Sequence, residues 1–119
     1  MRVQGILFLF GLGGACIATF TDTCSSLRLE DHVLFAKCQR SDHSYRFAPL
    51  NLNSCLGYQN GTIQKGKDAI RNLGCSFCLL NGARLQCMCY KGRGVIAPSL
   101  PLDLDTIISS HDGELNCDT

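Results

Sequence analysis

Cysteines are the side chains most able to do chemistry in this sequence, with nine of them among 119 residues. Two close pairs, Cys75-x-x-Cys78 and Cys87-x-Cys89, could supply four thiolates to a zinc ion, since zinc sites are built from such pairs. The Cys-x-x-Cys motif also occurs in redox proteins, but no thioredoxin-like βαβ pattern surrounds it here. The remaining role is structural, because cysteines in small secreted domains form disulfide bonds.

The first 18 residues favour the disulfide role. Residues 1–18 contain Arg2, an apolar run from Ile6 to Ile17 and small residues up to Ala18, which is the pattern of a secretory signal peptide. The run of 12 residues is too short, and too rich in glycine, for a membrane-spanning helix, which needs about 20. We expect export to the extracellular space and cleavage after Ala18. The mature chain of 101 residues then keeps eight cysteines, and we predict disulfides, with neither a metal nor a cofactor.

The amino-acid composition excludes several classes of protein for this chain. Eleven Lys and Arg against ten Asp and Glu give a net charge of +1, so the net charge offers no positive field for nucleic acid or anionic lipid. We therefore expect no nucleic-acid partner and no membrane insertion. Charged residues at 18% and hydrophobic residues at 45% are typical of a folded chain. The length allows one small domain, residues 19–119, and little room for a large enzyme core.

The mature chain contains two copies of one unit, about 19–67 and 68–119. Cys24 and Cys38 are 14 residues apart, as are Cys75 and Cys89, and the second pair follows the first by 51 residues. Two later matches have a shift of 52, so one residue is inserted between them and the cysteines. In these matches Pro49-Leu50-Asn51-Leu52-Asn53 corresponds to Pro101-Leu102-Asp103-Leu104-Asp105, and Asn60-Gly61 corresponds to Asp112-Gly113.

Each repeat predicts a β-hairpin, a strand and a short helical turn. Apolar runs flank Glu30-Asp31 in the first repeat and Asn81-Gly82 in the second, where Asn-Gly suits a type I′ turn. Alternating leucines then predict a half-buried strand. We expect Asn53 and Asp105 to cap single helical turns over residues 54–57 and 106–109. The domain should be mostly β, because helical spacing nowhere continues beyond about two turns.

The symmetry of the hairpins predicts two disulfides. Cys24 and Cys38 lie at equal distances from the centre of the first hairpin, and Cys75 and Cys89 are placed in the same way in the second. Each bond should therefore join the two arms of its own hairpin. Closing such a 15-residue loop stabilises a fold by about 3 kcal/mol.

The other four cysteines have less certain partners. Cys78 and Cys87 could form a second rung of the second hairpin if a β-bulge shifts the register by one residue. Cys55 and Cys117 then remain. They either pair with each other or stay as free or intermolecular thiols.

Catalysis has few candidate residues. None of the histidines, at positions 32, 43 and 111, has metal-ligand spacing, and no Gly-x-Ser-x-Gly elbow is present, so we expect exposed loop histidines. Asp103 and Asp105 look like paired acids, but Asn51 and Asn53 stand in their places in the first repeat. A catalytic carboxylate would not be expected to become an amide in its twin. We predict that the protein is not an enzyme.

A set of motifs in a fixed order spans the whole mature chain. The first repeat carries Phe20-x-x-Thr23-Cys24, Leu34-x-Ala36-x-Cys38, Leu50-Asn51-Leu52-Asn53 and Asn60-Gly61-x-Ile63. The second carries Cys75, Leu85-x-Cys87-x-Cys89, Leu102-Asp103-Leu104-Asp105 and Asp112-Gly113-x-Leu115. Together they resemble the cyanovirin-N homology domain, and Cys55, Cys78, Cys87 and Cys117 resemble the extra cysteines of its fungal members.

The resemblance implies a mainly β fold of two pseudo-symmetric, intertwined repeats, each a three-stranded sheet plus a β-hairpin with short helical turns. It also implies a lectin with one shallow pocket per half, which binds mannose-containing oligosaccharides or glycoproteins and performs no reaction. The family exchanges halves between chains, so either a monomer or a domain-swapped dimer is expected. The alternative is a secreted, disulfide-rich interaction or effector protein that keeps the scaffold without binding sugar.

The resemblance also implies the binding residues. The residues that it assigns to the first pocket are Asp22, Thr23, Gln39, Ser41, Ser110 and Asp112. The matching positions of the second pocket are Gly57, Tyr58, Asn60, Gly74, Tyr90 and Gly92. Glycines largely replace polar groups there, so only Tyr58 and Asn60 remain as candidates and we expect one competent site.

Three further positions leave alternatives open. Asn60-Gly61-Thr62 is an N-glycosylation acceptor pattern, and Asn60 either carries a glycan or sits in an unmodified turn. Arg71 stands where the second repeat should have a phenylalanine, and Ile70 is expected to substitute for it after a one-residue insertion. Tyr45, Tyr58 and Tyr90 either stack on sugars or pack on the sheets, and we expect packing.

Overall fold

The protein is described by a computed structural model that covers residues 19–70 and 74–118. The predicted signal peptide, residues 1–18, and Arg71 lie outside the described residues. Single turns of 3-10 helix occupy Phe20–Asp22 (η1), Leu52–Ser54 (η2) and Leu104–Thr106 (η3). The strands are β1 (Cys24–Glu30), β2 (Val33–Gln39), β3 (Tyr45–Asn51), β4 (Leu56–Gln59), β5 (Thr62–Lys65), β6 (Cys75–Asn81), β7 (Arg84–Gly92), β8 (Val95–Pro98), β9 (Leu102–Asp103), β10 (Ile108–His111) and β11 (Glu114–Cys117).

The strands form two larger sheets and two hairpins, which confirms the mainly β fold. One sheet has the antiparallel order β1-β2-β3, and its counterpart has the order β6-β7-β8 with β9 paired to the other end of β7. The two hairpins are β4–β5 and β10–β11. Strands β8 and β9 together occupy the place that β3 has in the first sheet.

Each half of the molecule takes strands from both repeats. Strand β11 contacts β3 and β10 contacts η1, whereas β5 of the first repeat contacts β7 of the second. We define half one as residues 19–51 and 104–118, and half two as residues 52–70 and 74–103. The intertwined arrangement that the sequence implied is therefore present, and each hairpin of one repeat packs on the sheet of the other.

Four disulfides join all eight cysteines of the described residues. Cys24–Cys38 and Cys75–Cys89 link residues that face each other across β1–β2 and β6–β7. Both predicted hairpin bonds are therefore confirmed. Because Cys75 and Cys89 are bonded to each other, as are Cys78 and Cys87, the zinc alternative is wrong for these residues.

A β-bulge allows the second rung of the β6–β7 hairpin. The register shifts between Ser76 and Leu79, with Phe77 at a φ of 48°, and this shift brings Cys78 opposite Cys87. The first hairpin has the same bulge at the matching place, with Ser26 at a φ of 54°. The sequence expectation of a bulge and a second rung is confirmed.

The fourth disulfide links Cys55 to Cys117 across 62 residues. Cys55 follows η2 at the start of half two, and Cys117 ends β11 in half one. The alternative of free or intermolecular thiols for this pair is wrong. The bond therefore ties the point where the chain crosses between halves to the strand that closes half one.

The core position that Phe20 fills in the first repeat is filled by a different residue in the second. The Asp105 carboxylate accepts hydrogen bonds from the Thr21 amide at 3.1 Å and hydroxyl at 2.7 Å, whereas its twin Asn53 accepts from the Ile70 amide at 3.0 Å. Ile70 therefore corresponds to Thr21, and Ala69 corresponds to Phe20. Ala69 is fully buried and Ile70 packs only against the edge of the core. The expectation that Ile70 replaces the phenylalanine is wrong by one position.

The helical turns begin two residues earlier than the sequence predicted. Asn51 Oδ1 accepts a hydrogen bond from the Asn53 amide at 2.9 Å, and Asp103 Oδ1 accepts from the Asp105 amide at 3.0 Å. The caps are therefore Asn51 and Asp103, and the buried Leu52 and Leu104 start the turns. The side chains of Asn53 and Asp105 instead bind backbone of the other repeat, which a local pattern does not show.

Turns with positive φ at both central residues occur at Asn60-Gly61, Arg93-Gly94 and Asp112-Gly113, and not at the hairpin for which the type I′ turn was predicted. Asn81 still pairs with Arg84, so the loop residues are Gly82 and Ala83, and of these Gly82 alone has a positive φ. A type I′ turn requires positive φ at both central positions. Arg93 and Gly94, which connect β7 to β8, meet that requirement with φ values of 55° and 75°.

The inserted residue lies at the break between β8 and β9. Cys89 pairs with Ala97 as Cys38 pairs with Arg46, a shift of 51 residues on both strands. Leu102 on β9 is already shifted by 52 relative to Leu50. The chain therefore accommodates its extra residue between these strands, where the buried Ser99 keeps the pairing intact.

Replacing Ser99 by alanine should destabilise the fold by about 1–3 kcal/mol, the cost of leaving a buried amide without a partner. The Ser99 hydroxyl accepts a hydrogen bond from the Cys87 amide at 3.1 Å, and the Ser99 amide donates to the Cys87 carbonyl at 2.7 Å. Only the first bond is lost in the variant. Urea denaturation measures the effect, and Ser25→Ala, at an exposed position of β1, is the control. Equal midpoints for the two variants would contradict this assignment.

Candidate functional site

A concave site of ≈ 270 Å3 lies at the end of half one, and we call it site one. The loop between β2 and β3 forms one wall and the turn between β10 and β11 forms the other. Its lining residues are Thr23, Gln39, Arg40, Ser41, His43, Ser110, His111 and Asp112. Because β2 comes from the first repeat and β10 from the second, the site exists only when both repeats are folded together.

Two hydrogen bonds join the walls of site one. The hydroxyls of Thr23 and Ser110 share a bond of 2.6 Å across the floor. The Ser41 amide donates to Asp112 Oδ1 at 2.9 Å and holds the β2–β3 loop against the opposite turn. Both pairs connect residues more than 70 positions apart in sequence. The polar groups of the site are therefore fixed in position before a ligand arrives.

The conformation of the β10–β11 turn places the Asp112 carboxylate. Asp112 has a φ of 49° and Gly113 a φ of 81°. A Cβ on Gly113 would lie 2.8 Å from Cγ of Arg40 and 3.0 Å from Cγ of Arg46, so glycine is needed for both φ and space. The stems of the two arginines consequently lie against this turn.

Hydrogen bonding holds the pKa of Asp112 below its ordinary value. The Ser41 backbone amide is the largest cause, followed by the Ser41 hydroxyl, and the positive charges of Arg40 and His111 add to the effect. These groups favour the charged form of the carboxyl. Asp112 is therefore an anion at neutral pH and acts only as a hydrogen-bond acceptor.

The structure brings together all but one of the residues assigned to the first pocket. Asp22 is the exception, because Oδ2 of its carboxylate accepts a hydrogen bond from the Thr19 amide at 3.1 Å. This bond belongs to a capping box that closes η1, and it turns Asp22 away from the lining of site one. The position of Asp22, two residues before Cys24, did not reveal the helical turn η1 in which it lies.

Sequence reasoning missed Arg40, His43 and His111, which also line site one. His43 Nδ1 and Gln39 Nε2 share a hydrogen bond of 3.2 Å. The expectation of an exposed loop histidine holds for His43, whereas His111 is exposed but ends strand β10 and His32 is only half-exposed in the β1–β2 turn. For His43 and His111, exposure means exposure to the site. Their position beside Gln39, Ser41 and Asp112 was the available signal.

The paired acids do not form a reactive site. Asp103 caps η3 through its Oδ1, and Asp105 binds Thr21 through both of its carboxylate oxygens. Over residues 19–70 and 74–118, no cluster of three or more His, Cys, Asp or Glu side chains could hold a metal ion. No helix in the same residues is long and apolar enough to cross a membrane.

The equivalent region of half two, which we call site two, is filled by a tyrosine. By the repeat shifts, Gly74 and Tyr58 take the places of Thr23 and Ser110. A Cβ on Gly74 would lie 2.6 Å from Cγ of Tyr58, so the ring lies directly on the glycine. The Tyr58 hydroxyl donates to the Tyr90 carbonyl. The ring therefore occupies the floor that two hydroxyls form in site one.

The rest of site two also differs from site one. Asn60 is exposed with a φ of 52°, matching Asp112, but Gly92 stands where Ser41 would donate its hydrogen bond. Lys91 lies against the neighbouring turn, and its ammonium donates to the Gly61 carbonyl. Of the two residues that the sequence left as candidates, Tyr58 is engaged with Tyr90, and Asn60 stands at the turn.

These features define a class: a pseudo-symmetric β domain, closed by disulfides, with a shallow polar site built from two repeats. The model of the CVNH domain matches residues 20–116, and the chain belongs to this family. The resemblance to the cyanovirin-N homology domain is thereby confirmed. CVNH proteins are lectins rather than enzymes. No curated protein sequence is similar enough to count as a match.

Solved structures of the family share the fold. Microvirin in complex with mannobiose is 28% identical, with a TM-score of 0.70 over 85% of this chain and 99% of that one. TbCVNH from T. borchii is 22% identical, with a TM-score of 0.69 over 84% of this chain and 99% of that one. A MoCVNH3 variant in complex with (N-GlcNAc)4 is 18% identical, with a TM-score of 0.72 over 87% of this chain and 99% of that one.

Proposed function

We propose that this protein is a secreted lectin that binds mannose-containing glycans, free or on glycoproteins, through site one. The observation that carries the proposal is the pair of hydrogen bonds, Thr23–Ser110 and Ser41–Asp112, that fix polar groups from both repeats around one shallow cavity. Adjacent sugar hydroxyls need donors and acceptors at fixed spacing, and hydroxyl, amide and carboxylate groups supply them. The mannobiose bound to microvirin supports mannose as the sugar.

Site two does not take part in this function. The Tyr58 ring covers Gly74 and leaves no room for the two hydroxyls that face each other in site one. A lectin with one shallow site binds weakly, on the order of micromolar to millimolar, because few hydroxyls are engaged and no second site adds avidity.

Calorimetry with oligomannose tests the proposal directly. We expect one binding site per chain, with (GlcNAc)4 and mannobiose measured in parallel because each is bound in a related structure. A protein that binds none of the three at about millimolar sugar would contradict the lectin function. That outcome would support the alternative, a secreted interaction or effector protein that keeps the scaffold without binding sugar.

Secretion is supported by the apolar leader and by the pairing of all eight cysteines of the mature chain. Mass spectrometry of the unreduced protein from the culture medium tests it. We expect a chain that starts at Thr19 and has no free thiol. The same spectrum reports whether the exposed Asn60 carries a glycan. An intracellular protein with its leader intact would contradict the secreted location.

The affinity of site one for glycans should fall at low pH, where the Asp112 carboxylate becomes protonated. Because the folded pKa lies below the ordinary aspartate value of about 3.9, the carboxylate persists to lower pH and its contribution is lost as pH falls through that depressed pKa. We therefore expect constant affinity down to about pH 4 and a decline only below it, because the carboxylate stays charged below the ordinary aspartate pKa. Calorimetry across pH measures this, with Asp112→Asn as the control that lacks the titrating group. A decline already between about pH 7 and 5 would contradict it.

A further inference from the structure

The two halves of the molecule carry opposite charge. Half one holds four Lys and Arg against eight Asp and Glu, whereas the described part of half two holds five basic residues against two acidic ones. The net charge of +1, which also counts Arg2 and Arg71 outside the two halves, therefore hides two regions of opposite sign. The basic residues of half two are Lys65, Lys67, Arg84, Lys91 and Arg93, and its acidic residues are Asp68 and Asp103.

The basic side chains of half two have no carboxylate partners. In residues 19–70 and 74–118, the ion pairs within 4 Å are Arg28–Glu30, His32–Asp31 and Arg46–Glu114, and all three lie in half one. All five cations of half two are exposed. Arg84 faces Asp103 in the β7–β9 pairing, so its charge is partly balanced. The other four form no ion pair within 4 Å among the described residues, and Asp68, next to Lys67, is the one acidic residue near them in the described sequence of half two.

Two adjacent hairpins carry these four cations, Lys65, Lys67, Lys91 and Arg93, which we call the basic cluster. Lys91 lies against Gly61 at the tip of the β4–β5 hairpin, and Lys65 pairs with Leu56 at its base. The tip and the base of this hairpin are four strand residues apart, which corresponds to about 13 Å. The cluster therefore follows the length of one hairpin, with Arg93 at the neighbouring β7–β8 turn.

Two tyrosines stand within the basic cluster. Tyr58 and Tyr90 remain 37% and 44% exposed, and the Tyr58 hydroxyl donates a hydrogen bond to the Tyr90 backbone carbonyl, one residue before Lys91. Exposed aromatic rings offer stacking faces for planar or ring-shaped groups, and neighbouring cations bind anionic substituents. Because Tyr58 fills the cavity of site two, this surface suits an extended chain lying across it rather than a small ligand in a pocket.

We propose that half two is a docking surface for an acidic polysaccharide, a linear chain of carboxylated or sulfated sugars. Charge complementarity supplies the attraction and the tyrosines supply contacts with sugar rings. The proposal does not depend on site one, which lies in half one. Together the two surfaces would let one chain hold a neutral glycan and an acidic polymer at the same time. The small net charge of the whole chain argues against binding of polyanions, but that argument does not apply to half two, which is positively charged.

The test measures binding of the folded, disulfide-bonded protein to heparin and to polygalacturonate, with neutral dextran as the uncharged control. We expect binding to both anionic chains and none to dextran. Affinity should fall about tenfold or more between about 50 and 200 mM NaCl, because several ionic contacts are released together. Charge reversal in Lys65→Glu/Lys67→Glu and in Lys91→Glu/Arg93→Glu should each weaken binding at least about tenfold.

Matched variants separate this surface from site one. Arg28→Ala/Lys37→Ala removes two cations from half one and should change heparin affinity less than about twofold, since both lie outside the cluster. Asp112→Ala should leave heparin binding unchanged even where oligomannose binding is lost. Circular dichroism and a free-thiol assay show that each variant keeps the fold and its four disulfides.

Four outcomes would overturn the proposal. One is no binding to either anionic polysaccharide at low salt, and another is an equal loss in the half-one and half-two variants. The third is equal affinity for duplex DNA or for vesicles of anionic phospholipid, which would mean that charge alone acts without recognition of sugar. Salt-sensitive self-association, with half one of a second copy taking the place of the polymer, would also contradict it.

Discussion

Replacing Asp112 by alanine should remove glycan binding at site one while leaving the fold intact. The substitution deletes the acceptor of the Ser41 amide, so the β2–β3 loop loses its contact with the opposite wall at the same time as the sugar loses a carboxylate. We expect affinity to fall by at least about tenfold, which for a shallow site moves binding out of the range of calorimetry.

Asp68→Ala is the matched control for this experiment. Asp68 and Asp112 are both aspartates with positive φ, 64° and 49°, so alanine brings a similar backbone strain to each position. Asp68 lies in half two and is not one of the residues that line site one. Equal losses of glycan affinity in the two variants would show that strain, and not the carboxylate, is responsible.

Removing the Cys55–Cys117 bond should destabilise the protein by about 4 kcal/mol, because it closes the longest loop of the four disulfides. The two cysteines are separated by 62 positions, and the chain between them includes the whole of β4 to β10. Cys55→Ala/Cys117→Ala therefore releases much more chain entropy in the unfolded state than a hairpin bond would. For a small domain, whose total stability is about 5–15 kcal/mol, this is a large fraction.

Cys78→Ala/Cys87→Ala is the comparison variant, since it opens a loop of only nine residues. Loop-closure entropy places its cost about 1.5 kcal/mol lower than that of the Cys55–Cys117 variant. Urea denaturation of both double variants measures the difference. A larger loss for the short loop would mean that the packing of Cys78 and Cys87 in the core, and not chain entropy, dominates.

The disulfides within the hairpins and the sheets were predictable from the sequence because both follow from local spacing, whereas the Cys55–Cys117 bond, between residues 62 positions apart, was left open. Equal spacing of 14 residues fixed two hairpin bonds, and the bulge at Phe77 followed from the need to align Cys78 with Cys87. The helical caps were not predictable in this way. Asn53 and Asp105 have the right residue type for a cap, but each binds backbone far away in the chain, and the sequence order contains no signal for that contact.

For the candidate site as well, residues that depend on short-range patterns were predictable and residues that depend on long-range contacts were not. The repeat pattern gave Ser41 and Asp112 because both stand at turns that match the family. Asp22 was assigned from its neighbour Cys24, and a single turn of helix directs it elsewhere. The opposite charges of the halves were hidden for a related reason. They emerge only when residues 104–118 are folded back onto the first sheet.

The crossing of the chain between halves has a consequence for how such a protein changes over generations. Because each sheet is completed by a hairpin from the other copy, neither copy can be deleted or unfold alone without exposing the core of both. Selection on folding therefore preserves the whole duplicated chain even where one copy no longer serves its first purpose. The Tyr58 ring fills site two while both sheets stay complete, so a change confined to one end of the molecule leaves this exchange of hairpins intact.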